Sequence, residues 1–327
     1  MKMEVKKIAV VGAGIMGGGI AQVCAQAGLQ TNVHDSDSTV LQKVSGNIKR
    51  TLGILADGGL INAEEIGNVL KRIQIVPTLV DAADDVDVVI EAVVEDISVK
   101  RSIFAKLDDL CRKETILASN TSSFSINEIA SVTRRQDRVV GMHWWNPPYL
   151  MPLIEVVKAE RTSRETVDAT RDLAIKLGKE PAVCKDSPGF LGVRLQAALV
   201  IEATKMLDEG LASVEDIDAA VRMSLGFRLP VIGPFQTMDL GGLDTFLYAY
   251  DYLWKKLDDR FRPPDLLRNK VRDGDLGIKT RKGFYQYSEE SASSLVKRRD
   301  QWLMSKAKEF QLEASRNSFR KTFGTAS

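Results

Sequence analysis

At 327 residues, 44% hydrophobic and 27% charged, the chain has the size of two ordinary soluble domains, each able to bury its own core. Lys and Arg number 45 against 44 Asp and Glu, a formal charge of +1, so no global field would gather nucleic acid or an anionic membrane surface. Cys24, Cys111 and Cys184 lie far apart and form no C-x-x-C pair, which argues against a disulfide framework or a zinc site and for reduced thiols; no metal is expected.

Lys2, Lys6 and Lys7 precede the apolar run Ile8–Val11, a pattern that can open an export signal. Glycines at 12, 14, 17, 18 and 19 break that run at once, and no uninterrupted apolar stretch approaches the ~18 residues that span a bilayer. A cytoplasmic location with no membrane partner is expected. Lys7–Val11 itself reads as a strand, followed by Gly12-Ala-Gly14-Ile-Met-Gly17, helical spacing from Ile20 to Ala27, and a second strand over Thr31–Asp35. G-x-G-x-x-G between a strand and a helix is a dinucleotide-binding pattern. Gly12, Gly14 and Gly17 allow a tight turn and the close approach of a pyrophosphate to the helix N-terminus. Asp35 ends the second strand, where a carboxylate accepts hydrogen bonds from a ribose diol and repels a 2′-phosphate, so NAD is expected over NADP. His34 beside it is expected to point away, with no role.

Residues 38 to 72 read as two helices, with strands following over 73–76 and 86–94. Glu95 and Lys100 come just past the second of these, at a strand's C-terminal end, where open α/β sheets bind ligands. A helix over 98–110, a strand over 115–118 and the hydroxyl-rich loop Ser119–Ser123 come next. Ser123 or Ser125 is expected to cap a helix over 126–132. Val139–Met142 is an apolar strand pattern with His143 at its end, then a turn at Asn146-Pro147-Pro148, then a second apolar run, Leu153–Val157, that contains Glu155. An unpaired carboxylate inside such a run is costly. If the chain doubles back through the prolines, Glu155 can meet His143, fix its tautomer and leave the other ring nitrogen as an acid or base. The plainer alternative is a histidine that happens to end a strand and a glutamate on a half-exposed face.

Thr162-x-x-Glu165 reads as a capping box opening a helix to about Leu177, and Pro181–Cys184 as a last strand. Beyond Asp186-Ser187-Pro188-Gly189 only helices are expected. Leu191–Leu207, apolar all round, reads as a buried helix; another begins at Ser213-Val-Glu-Asp216, and a long helical region covers 235–257. The polar stretch 289–317, with Leu295, Trp302, Leu303 and Phe310 as its apolar stripe, reads as a terminal helix packed on its own domain, a role in subunit contact being the alternative. The expected fold is α/β: a doubly wound Rossmann-type sheet domain over 1–186, an all-α domain over 187–288, and a polar helical tail over 289–327.

The motifs VGAGIMGGGIA, EAVVEDISVKRSIFAKLD, SNTSSFSI, the H-x-x-N-P of HWWNPP, PLIEVVK, KDSPGF and LGIKTRKGFYQY occur in this order. Through them the chain resembles the L-3-hydroxyacyl-CoA dehydrogenase family over about residues 4 to 288. The resemblance implies reversible NAD-dependent oxidation of an L-3-hydroxyacyl-CoA to the 3-oxoacyl-CoA, a helical dimerisation domain and hence a homodimer, and a substrate held between the domains. Position by position it implies His143 as acid/base, Glu155 as its partner, Ser122 and Asn146 as polar contacts to substrate and nicotinamide, and Glu95 and Lys100 near the cofactor. Two departures stand out. Val193 occupies the place of the family's usual asparagine after P-G-F, and Ala56-Asp57-Gly58-Gly59-Leu60 replaces an often lysine-rich break, although Lys49 and Arg50 lie upstream. The NPPY segment resembles the free-acid branch that includes L-gulonate dehydrogenase (lambda-crystallin) and carnitine dehydrogenase. A free 3-hydroxy acid is therefore the alternative substrate. A non-catalytic NAD-binding relative is a further alternative, against which the intact His143 and Glu155 argue.

Overall fold

The computed structural model describes residues 4–315, without the side chains of 307–315, so Phe310 of the expected apolar stripe lies outside the described side chains. Strand and helix alternate first: β1 (Lys7–Val11), α1 (Ile15–Gln26), β2 (Gln30–His34), α2 (Ser38–Asp57), α3 (Ile66–Lys71) and β3 (Ile73–Ile75). Next come α4 (Leu79–Ala83), β4 (Val88–Glu91), α5 (Ile97–Leu110), β5 (Ile116–Ser119), α6 (Ile126–Ala130) and β6 (Val139–Trp144). β7 (Leu153–Lys158), α7 (Arg164–Lys176) and β8 (Glu180–Lys185) complete the series. Among the described residues these strands form one sheet in the order β3-β2-β1-β4-β5-β6-β7-β8. All neighbours run parallel except β6 and β7, whose direct connection, with no crossover helix, permits an antiparallel pair.

Side-chain alternation divides the core into two layers, one on each face of the sheet. Ile8, Val10, Ile90, Ala118, Val140 and Met142 pack with Ile20 and Cys24 of α1, Val44 and Ile48 of α2, and Leu173 of α7. Ala9, Val11, Val89, Leu117, Val139 and Val157 pack with Ala82 of α4, Phe104 and Leu107 of α5, and Ile126 and Ile129 of α6. Strands β4, β5 and β6 are buried along their whole length, in keeping with the apolar runs that open them.

The chain forms two compact units, one through Val200 and one from Ile201. Helix α8 (Gly192–Asp208) runs across this division, and α9 (Val214–Met223), α10 (Leu225–Arg228), α11 (Pro234–Gly241), α12 (Leu243–Lys256), α13 (Asp265–Arg272) and α14 (Glu289–Ser315) follow. Within the second unit, Asp239 is fully buried and accepts from Phe284 N, Tyr285 N and Tyr287 Oη at 2.8, 2.9 and 2.9 Å. These bonds tie the segment before the tail to α11. Ala292 and Leu295 of α14 are buried, and Trp302 Nε1 donates to Phe227 O at 3.0 Å, so the described part of the tail packs on its own unit.

Several sequence expectations need correction. Helix α8 has no buried residue; Leu195, Leu199, Val200, Ile201 and Leu207 are exposed, because an all-round apolar pattern asks for cover without saying that the same chain provides it. The strand expected over 86–94 spans Val88–Glu91, and the helical region 235–257 breaks at Gly242, whose φ is +91°. The N-cap of α7 is Ser163, not Thr162: Ser163 Oγ accepts from Thr166 N at 3.1 Å, while Thr162 Oγ1 donates to Val139 O. Helix α4 has only five residues, too few to show a helical period in the sequence.

Candidate active site

In a parallel sheet the C-terminal strand ends share one edge. Here β1, β4, β5 and β6 bring the glycine turn and the loops at 92–95, 120–123 and 145–152 to that edge. Backbone bonds stitch these ends together. Gly12 N donates to His34 O at 2.8 Å, Ala92 N to Val11 O at 2.7 Å and Asn120 N to Glu91 O at 2.8 Å. Asn120 Oδ1 then accepts from Trp144 N at 2.8 Å.

Close backbone approaches and open space both shape the glycine turn. Gly12 sits at φ +97°, and a Cβ at Gly17 would fall 1.7 Å from Gly12 O, so neither place tolerates a side chain. A Cβ at Gly14 would meet nothing within 4 Å, and Gly14 offers no side-chain cap to α1. The open side of the turn therefore exposes the uncapped N–H groups of a 12-residue helix, a fit for a pyrophosphate. Asp35 Oδ2 accepts from Ala13 N at 2.7 Å and Oδ1 from Asp37 N at 2.9 Å, which orients the carboxylate beside the turn and leaves it further acceptor capacity. His34 turns to Val76 O at 3.3 Å, away from the turn.

Lys100 is fully buried between two carboxylates, 2.7 Å from Glu91 Oε1 and 3.2 Å from Glu95 Oε2. Glu95 Oε1 in turn accepts from Thr121 Oγ1, Ser122 N and Ser123 N at 2.5, 3.1 and 3.2 Å. Burial would raise the Glu95 carboxyl, but the Thr121 hydroxyl, the Lys100 ammonium and the Ser122 amide outweigh it and hold it below the usual range. Glu95 and Lys100 thus brace the loop that carries Ser122, whose hydroxyl lies 3.4 Å from that of Ser123.

His143 and Glu155 are paired residues of β6 and β7, and Nδ1 lies 2.7 Å from Oε2. Glu155 is wholly buried, His143 nearly so, and the imidazole lies tilted at 5.7 and 5.8 Å, centroid to centroid, from the rings of Trp145 and Phe190. Trp145 Nε1 donates to the same Oε2 at 3.3 Å. Oε1 accepts from Leu191 N and Gly192 N at 2.8 and 2.9 Å. Burial would raise the Glu155 carboxyl; the bonds from His143, Gly192 and Leu191 overcome it and hold it below the usual range. An ionised carboxylate only accepts, so a hydrogen resides on Nδ1 of His143, and in the neutral ring Nε2 is the acceptor.

Asn146, exposed and joined to Pro147 by a cis peptide bond, opens the turn after β6. Lys179 Nζ fixes that turn through Pro148 O and Met151 O at 2.6 and 2.8 Å. Asn146, Pro147 and Tyr149 line a cavity of about 390 Å³ together with Ala13, Gly14, Gly18 and Gly19. Its other wall is the face of α2 that presents Lys43, Asn47, Arg50 and Thr51. Of the two cations singled out in the sequence, Arg50 lines this cavity; Lys43, two turns earlier on the same face, was missed. Also missed were Glu91, Asn120, Trp145 and the Leu191 and Gly192 amides. Glu91 did have a signal, a carboxylate closing the apolar run Val88–Ile90. Val193 follows directly on those two amides.

Residues 7–187 match the NAD binding domain of 3-hydroxyacyl-CoA dehydrogenase, and residues 189–287 match the C-terminal domain of the same family. The chain is 43% identical over 283 residues to the probable 3-hydroxybutyryl-CoA dehydrogenase of Deinococcus radiodurans, covering 86% of this chain and 100% of that protein. It is 39% identical over 294 residues to the mitochondrial hydroxyacyl-coenzyme A dehydrogenase of Sus scrofa, covering 88% of this chain and 92% of the relative. Among solved structures, the 3-hydroxyacyl-CoA dehydrogenase of Archaeoglobus fulgidus superposes with a TM-score of 0.79 at 33% identity, covering 92% of this chain and 99% of that one. The chain belongs to the 3-hydroxyacyl-CoA dehydrogenase family.

Proposed function

We propose that this protein oxidises an L-3-hydroxyacyl-CoA to the 3-oxoacyl-CoA, reversibly and with NAD. The observation that carries the reading is the buried His143–Glu155 pair, which leaves Nε2 free on a strand whose following turn shares a cavity with the glycine turn. His143 Nε2 takes the proton of the 3-hydroxyl. NAD, when bound, accepts the hydride that leaves the same carbon. Glu155 faces the imidazolium as it forms and keeps the ring in place. Ser122 and Asn146 hydrogen-bond the reacting oxygen and the nicotinamide. Gly12, Gly14 and Gly17 receive the pyrophosphate, Asp35 the ribose diol, and Glu95 with Lys100 supports the loop on the nicotinamide side. Lys43 and Arg50 give the cavity a cationic wall suited to the phosphates of CoA.

The same reading includes a homodimer: Leu195, Ile201, Tyr248 and Tyr252 are 66%, 59%, 82% and 63% exposed, apolar area of the kind that a second copy covers. It sets the functional boundary at 186/187, with residues 289–327 as an appended tail. It also assigns the chain to the cytoplasm, in keeping with three free thiols. Val193 favours a second reading, a free 3-hydroxy acid, because valine offers no hydrogen bond to the reacting oxygen. NADH formation across matched CoA esters and free acids tests both. Turnover confined to the CoA esters supports the first reading, and turnover confined to the acids refutes it.

A further inference from the structure

Trp145 stands two residues past His143, and its indole is held on three sides. Nε1 donates to Glu155 Oε2 at 3.3 Å, the oxygen that also takes the His143 Nδ1 bond at 2.7 Å. The indole lies tilted at 5.7 Å, centroid to centroid, from the imidazole. Its six-membered edge fills the space over Gly192, where a Cβ would come within 2.4 Å of Cζ2. The glycine whose N–H holds Oε1 thus also makes room for the ring that donates to Oε2.

We propose that Trp145 is a positioning residue for the proton transfer: by sharing Glu155 Oε2 with His143, its N–H tempers the carboxylate's pull on the imidazole, whose Nε2 must accept the proton. The inference rests on His143 acting as the base. An anionic oxygen with two donors presents less uncompensated charge to each. Remove the indole N–H and more of the carboxylate's charge faces the imidazole, which favours the imidazolium. At 3.3 Å the bond lies just beyond the usual N–H···O range, so its removal should shift the imidazole titration by no more than roughly half a pH unit. Among the described residues, Cys184 on β8 is a titratable neighbour of Glu155, with Asp186 just beyond it. The Cys184 thiol is pushed up to about 11 by burial and by the charges of Glu155 and Asp186. Asp186 is engaged by Ser125 Oγ and by Asn127 N and Nδ2. Both are common to wild type and variants and cancel in the comparison.

The presence of only two histidines makes the test direct. The imidazole signals of His34 and His143 are followed against pH by NMR in histidine-labelled full-length protein with NAD, a His34→Asn variant supplying the assignment. Trp145→Phe removes the N–H and keeps an aromatic ring; the His143 midpoint should rise by up to roughly half a unit while His34 does not move. Gly192→Ala keeps the backbone donors to Glu155 Oε1 and the indole itself but drives a methyl into the ring, displacing its N–H from Oε2, and should shift His143 in the same direction. It decides the matter if the phenylalanine variant does not fold, as the His34 signal would report. An unchanged or lowered His143 midpoint in a folded variant overturns the proposal. The same shift should move the acid limb of kcat/KM to higher pH, whereas a ring that only fills space would lower kcat without moving that limb. A shifted midpoint in a protein inactive on every hydroxyacyl-CoA would sink the proposed reaction and leave the Trp145–Glu155–His143 coupling standing.

Discussion

His143 and Glu155 sit directly opposite one another across the antiparallel β6–β7 pair, and this register is what places a carboxylate oxygen 2.7 Å from the imidazole. Opposed residues point to the same face of a sheet. A slip of one residue would send Glu155 to the other face and leave the histidine without a partner. The turn at 145–152, clamped by Lys179, holds that register.

If His143 is the acid/base, His143→Ala should lower kcat by roughly 10²-fold or more, the scale of a general acid/base, with NADH affinity unchanged. Stopped-flow rates at saturating substrate, beside a fluorescence titration of NADH, check this. Near-wild-type turnover would remove the mechanism.

Glu155→Gln should also lose activity, for a reason of hydrogen-bond polarity. To keep accepting from Leu191 and Gly192, the amide must turn its NH2 towards His143, which then accepts at Nδ1 and carries its hydrogen on Nε2. The same substitution changes the pH dependence of stability. A carboxyl held below its ordinary range in the folded state contributes stability that is full above the unfolded value, about 4.3 for glutamate, and is lost as pH falls through the folded value. The wild type should therefore lose more Tm between about pH 5 and about pH 2 than Glu155→Gln does. Equal losses in differential scanning fluorimetry would contradict this.

Asp35 should make NAD the preferred cofactor by a wide margin, and Asp35→Ala should erode the margin by relieving repulsion of the 2′-phosphate. Because Asp35 also holds Ala13 N, the variant should weaken NAD itself. Equal kcat/KM for NAD and NADP in the wild type would refute the assignment.

Val193→Asn should raise kcat/KM on 3-hydroxybutyryl-CoA by up to about tenfold, since a neutral hydrogen bond in a closed site is worth about 0.5–1.5 kcal/mol. No gain on any acyl-CoA, together with wild-type turnover of a free hydroxy acid, would favour the second reading.

Two changes test the proposed dimer separately from the tail. Leu195→Glu places a charge on the exposed face of α8 and should shift light-scattering mass towards the monomer. A chain ending at Ser288 loses the Trp302–Phe227 bond and the buried Ala292 and Leu295, so it should be less stable at unchanged oligomer size. A smaller oligomer on truncation would instead put the tail at the subunit contact.

What the sequence made legible is carried by side chains at fixed spacing. The glycine turn, Asp35 and the facing of His143 and Glu155 follow from strand and turn patterns that a reader can count. What stayed hidden depends on the backbone or on distant partners. The Leu191 and Gly192 amides that hold Glu155 Oε1 have no residue signature, because every non-proline residue carries the same N–H. Lys100 was legible as a cation at a ligand-binding strand end, but not its burial, nor the balancing of its charge by Glu91 nine positions earlier. Helix α8 looked buried for the opposite reason: its apolar residues are real, but their cover is not among the described residues.

The most direct measurement is the initial rate of NADH formation from L-3-hydroxybutyryl-CoA and from the matching free acid, in wild type and His143→Ala side by side. The account predicts turnover of the CoA ester in the wild type, little or none of the acid, and a loss of roughly 10²-fold or more in the variant. Turnover of the free acid alone, or a His143→Ala variant as fast as wild type on the CoA ester, would contradict it.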